Sequence, residues 1–112
     1  MLEKYITKKI RAYLRDLGYI VIKVAGGQFQ SPGISDIIAC SPEGRFIAIE
    51  VKQPGKQPTP LQIEFLLQVY THKGFAACVT SLEELKTLLE LNKTCGIKFH
   101  SGYYIKNTKR VW

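Results

Sequence analysis

The chain has 112 residues, enough for one compact domain whose core hides about two-thirds of the unfolded surface. A composition of 46% hydrophobic and 22% charged residues excludes intrinsic disorder, and apolar runs of only a few residues exclude a membrane-spanning helix. Sixteen Lys and Arg against nine Asp and Glu leave a net charge of +7. That excess points to a polyanion, nucleic acid first and an anionic membrane surface second, with plain solubility as the alternative.

Met1-Leu2-Glu3-Lys4 leads directly into an amphipathic pattern without a signal-peptide core, which predicts a cytoplasmic protein. Leu2, Ile6, Ile10, Leu14 and Leu17 recur at helical spacing, with Lys and Arg opposite, so a helix is expected over 3–17, ended by Gly18. Tyr19 to Val24 reads as a strand, and Ala25 to Gly33 as a loop. Two further strands, Asp36 to Cys40 and Arg45 to Lys52, are joined by a turn short enough for an antiparallel hairpin. After a polar loop at 53–58, Thr59 caps a helix at about 60–73 with Pro60 at its first position; being apolar nearly all round, it is expected to be buried. A fourth strand at Phe75 to Thr80 follows. Ser81-Leu82-Glu83-Glu84 then opens a third helix to about Leu91, and a short hairpin is expected around Ser101-Gly102.

The order α-β-β-β-α-β-α predicts an α/β fold with a mixed central sheet flanked by helices. Cys40, Cys78 and Cys95 are widely spaced with no CxxC, so free thiols in a reducing cytosol are expected. His72 and His100 lack ligand spacing for zinc.

The hairpin carries the chemistry. Along the third strand Phe46, Ala48, Glu50 and Lys52 share one face, and Ile47, Ile49 and Val51 the other. A five-residue loop, Ser41 to Arg45, sets a register that places Cys40 opposite Phe46 and Asp36 opposite Glu50. Two carboxylates that close must share a proton, bind a metal or be neutralised by a cation. With the backbone carbonyl of Val51 they make an oxygen site suited to Mg²⁺, and Lys52 on the same face can hold water or stabilise phosphoryl oxygens. The alternative is a buried salt bridge from Lys52 to Glu50 or Asp36 with no chemistry.

Asp36, thirteen residues, then Glu50-Val51-Lys52 resembles the core motif of the PD-(D/E)XK nucleases. More narrowly, Gly33-Ile34-Ser35-Asp36-Ile37-Ile38, then Ile49-Glu50-Val51-Lys52, then Gln62 in the next helix, resembles the VRR-NUC (virus-type replication-repair nuclease) family over about residues 3–90. The resemblance implies a restriction-endonuclease-like core, Mg²⁺ or Mn²⁺ held by Asp36 and Glu50, and Lys52 as the catalytic lysine. It also implies that Glu3 completes the site from the first helix and that Gln62 lies near it. Read on their own, Glu3 is equally a solvated first-turn glutamate, and Thr59-x-x-Gln62 equally a capping box. Ser35 stands where the wider motif has proline. Lys23, Gly27, Ser31 and Lys56 are candidate DNA contacts, with a flexible loop and solvated lysines as the alternative. The whole chain, 1–112, is read as one nuclease domain with a basic C-terminal extension at 91–112. The resemblance implies a metal-dependent DNA endonuclease that, like stand-alone members of the family, cuts branched DNA such as four-way junctions as a homodimer. The rivals are a restriction-like or single-strand nuclease and a non-catalytic nucleic-acid-binding module.

Overall fold

A computed structural model describes residues 2–24, 33–94, 105–106 and 109–110. The elements run α1 (Glu3–Asp16), β1 (Ile20–Lys23), β2 (Ile37–Cys40), β3 (Phe46–Val51), α2 (Pro60–Thr71), β4 (Phe75–Val79) and α3 (Leu82–Thr94). The predicted order holds, with element ends within a few residues of those expected. The terminal pairing differs: it joins β5 (Ile105–Lys106) to β6 (Lys109–Arg110), while Ser101-Gly102 lies outside the described residues.

Four strands lie side by side in the order β1-β2-β3-β4. β1, β2 and β3 form an antiparallel meander, and β4 pairs parallel to β3 because α2 returns the chain between them. β3 is therefore an interior strand, and Ile47 to Val51 are buried along it. α1 packs on β1, β3 and α3, and α3 on β4, whereas α2 lies on β3 and β4. Because α1 and α3 touch each other, they share one face of the sheet; Gln62 of α2 reaches Glu50 on the other. Ile6, Ile10 and Leu14 of α1 and Leu85, Leu88 and Leu89 of α3 belong to one core with the inner residues of the strands.

The expectation of a buried α2 needs correction. Ile63, Leu66 and Val69, spaced three apart, turn inward, but Leu61 is 57% exposed. One side of a helix suffices to cover two strands, and the apolar residues left over face outward. On the strands, Ile20 and Ile22 of the edge strand β1 and Phe46 at the start of β3 are likewise exposed.

Candidate active site

The register matches the one read from the loop length. Cys40 faces Phe46 and Ile37 faces Ile49, so the next step along the hairpin sets Asp36 against Glu50. Asp36 lies just before β2, and its carboxylate continues the ladder in place of backbone: Asp36 Oδ2 accepts the Val51 N–H at 2.8 Å. One further backbone bond, Lys52 N–H to the Val79 carbonyl at 2.9 Å, ties the end of β3 to β4. Neighbouring strands thus hold both sides of the Glu50-Val51-Lys52 segment.

Glu50 is 2% exposed. Its Oε2 accepts the Gln62 Nε2–H at 3.0 Å and lies 3.7 Å from the Lys52 ammonium, whose side chain is 16% exposed. Its Oε1 is buried with no hydrogen-bond partner. Burial, and next the neighbouring Asp36 carboxyl, push Glu50 up to about 8, while Lys52 pulls it down. Two carboxylates face one ammonium, so with both ionised one negative charge is uncompensated, and the proton that Glu50 retains up to about 8 removes that excess.

Gln62 fills both of the roles the sequence allowed. Its Oε1 accepts the Thr59 N–H at 2.8 Å while the Thr59 hydroxyl accepts the Gln62 N–H at 3.2 Å, a complete capping box. The amide nitrogen left over is the group that donates to Glu50. The first turn of α2 is thereby locked to the carboxylate beneath it.

Glu3 takes a position that sequence reasoning missed. Its Oε2 accepts the Gln53 N–H at 3.1 Å, so it fastens the chain one residue beyond Lys52. Among the described residues no group of three or more His, Cys, Asp and Glu gathers around one point, and Glu3 does not join Asp36 and Glu50. Lys56 is exposed in the loop after β3, and Lys23 ends β1; Gly27 and Ser31 lie outside the described residues. Ser35 is fully buried, and its hydroxyl has no partner. Gly33 holds φ +82°, and a Cβ there would meet the Leu61 carbonyl oxygen at 2.5 Å. The glycine in the motif therefore lets the approach to Asp36 pass directly against the start of α2. The signal for this was its place three residues before the aspartate, but the contact with Leu61 depends on chain packing.

The donor set suits a divalent cation. Two hard carboxylates, one with an unsatisfied buried oxygen, offer few protein ligands and leave the remainder to water, as Mg²⁺ prefers.

No family model matches the chain. A phage protein named "Putative nuclease p44", from Acyrthosiphon pisum secondary endosymbiont phage 1, is 30% identical over 90 residues, spanning 78% of this chain and 90% of its own length. A solved structure described as a VRR_NUC domain superposes with a TM-score of 0.63 at 24% identity, covering 79% of this chain and 94% of that one. The chain belongs to the VRR-NUC family. Its fold is the restriction-endonuclease-like one of that family, and the phage relative carries a nuclease name.

Proposed function

We propose that this VRR-NUC protein is a Mg²⁺- or Mn²⁺-dependent DNA endonuclease that hydrolyses phosphodiester bonds, with branched DNA such as four-way junctions as its substrate. The observation that carries the reading is Glu50: a buried carboxylate with one orphan oxygen, set against a second carboxylate and a lysine. Asp36, Glu50 and the Val51 carbonyl would hold the cation. When bound, it would supply charge neutralisation on the phosphodiester and a lowered pKa for the attacking water.

The chain's own groups have distinct tasks. Gln62 fixes the rotamer of Glu50 by donating to Oε2, which leaves Oε1 for the cation. Lys52, partly exposed at the mouth of the site, can donate to the phosphoryl oxygens as negative charge grows on them. Glu3 acts at one remove, through the Gln53 backbone, and keeps the segment carrying Lys52 in place. Lys56, exposed four residues beyond Lys52, would meet a phosphate of the strand being cut. Each 112-residue chain carries one such site, so paired cuts across a junction require two chains related by a twofold axis.

The test uses labelled four-way, flap, duplex and single-stranded DNA with Mg²⁺, Mn²⁺ or EDTA. Paired nicks on the four-way substrate are expected with either metal, lost in EDTA and reduced by about two orders of magnitude or more in Lys52→Ala. Sedimentation of the unbound protein should give the mass of two chains. Cleavage confined to single strands would establish the single-strand rival. Tight binding without cleavage, equal in wild type and Lys52→Ala, would leave a binding module.

A further inference from the structure

One charged surface plays no part in the site. α1 carries Lys4, Lys8, Arg11 and Arg15 at spacings of four, three and four residues. At 3.6 residues per turn these positions fall within an arc of about 60°, well away from the buried Ile6, Ile10 and Leu14 stripe. With Tyr5, over which the Lys4 ammonium sits 5.3 Å from the ring centroid, they line one open groove. The two acids of α1 are elsewhere: Glu3 is turned to the Gln53 N–H, and Asp16 lies on a different side of the helix. Among the described residues no carboxylate lies within 4.0 Å of any of the four cationic groups. Arg11 Nε is buried without a hydrogen-bond partner. Aligned like charges repel one another, and an uncompensated row of them is matched by a partner carrying negative charges in a row.

The groove also has a direction. Lys4 follows Glu3, which is fastened one residue beyond Lys52, so the row begins at the end of the molecule that carries the site and runs away from it. From Lys4 to Arg15 the helix rises about 16 Å, the axial length of roughly five phosphates along one strand of duplex DNA.

We infer that the Lys4–Lys8–Arg11–Arg15 face of α1 binds the phosphate backbone of a duplex arm flanking the site of cutting. The inference rests on the nuclease reading for the identity of the polyanion, but not on cleavage. The surface contacts phosphates without reading bases, so it adds affinity for any duplex and a dependence on salt.

The test measures binding of a fluorescent duplex in EDTA over a series of salt concentrations, for the full chain and two doubly substituted variants. Lys8→Ala with Arg15→Ala removes two charges from the groove. Lys9→Ala with Lys86→Ala removes two from exposed positions outside it. Thermal melts establish that both variants are folded. The groove variant is expected to bind roughly tenfold or more weakly and to lose about two from the slope of log K against log salt. The control should keep most of its affinity and its slope. Equal loss in both variants would mean that only net charge matters, and no loss in either that the groove is not used; each overturns the inference. Wild-type binding to phosphatidylserine vesicles but not to duplex would overturn it too. A wild type that binds through the groove yet never cleaves defeats the nuclease reading alone, whereas one that cleaves with the groove variant unimpaired defeats only this inference.

Discussion

Glu50 has the least comfortable environment of any described side chain in the site, and that environment is legible in solution. Burial favours its protonated form, so the folded chain keeps a proton that the unfolded chain releases above the ordinary value of 4.5. With the folded value up to about 8, metal-free protein should lose stability as pH rises between those limits, on the order of a few kcal/mol, and level off beyond them. Glu50→Gln, which keeps the shape and removes the charge, should melt higher at pH 8 and flatten the dependence. Melting temperatures across pH 5 to 9 in EDTA check this, and a wild type indifferent to pH would contradict it. Cys78, paired with Glu50 across β3 and β4, is also pushed up to about 12 by burial, which makes it an inert thiol.

The hairpin and α2 work as one unit. Loop length set the register between β2 and β3, and register put the two acids together. The capping box at Thr59 and Gln62 then anchored the helix end over them. At Gly33 the approach to the hairpin passes close against the start of α2. Gly33→Ala would force a Cβ against the Leu61 carbonyl on a backbone with positive φ, costing on the order of 2–3 kcal/mol. Thermal melting should fall by roughly 10 °C, and cleavage should drop with it, since Asp36 is three residues away. Unchanged melting would mean that the segment does not run beneath α2.

For the molecule as a whole, a cation that binds only the folded chain adds to its stability by mass action. Mg²⁺ or Mn²⁺ at a hundred times its dissociation constant should contribute about 2.7 kcal/mol, a rise in melting temperature of several degrees. Because the cation must displace the proton of Glu50, the rise should be larger at pH 8.5 than at pH 6. Asp36→Asn should abolish it. A wild type whose melting ignores both metals at both pH values would leave Asp36 and Glu50 as a proton-sharing pair.

Several levels of this architecture were written locally. Helical and alternating periodicities, Gly18 and Gly74, the Thr59 cap and a five-residue turn are properties of short stretches, so element order, hairpin register and the Asp36–Glu50 pairing followed from the chain alone. The family emerged from the same residues because its motif lies on that hairpin and the helix after it. What needed the tertiary structure were the contacts between elements distant in sequence. Glu3 reaches a backbone fifty residues away, Leu61 presses on Gly33, and Gln62 serves cap and carboxylate at once. Which side of α2 turns inward, and which apolar side chains of β1 stay exposed, was likewise settled by packing. Periodicity records that a residue is apolar, but only the arrangement of neighbouring layers determines whether anything covers it.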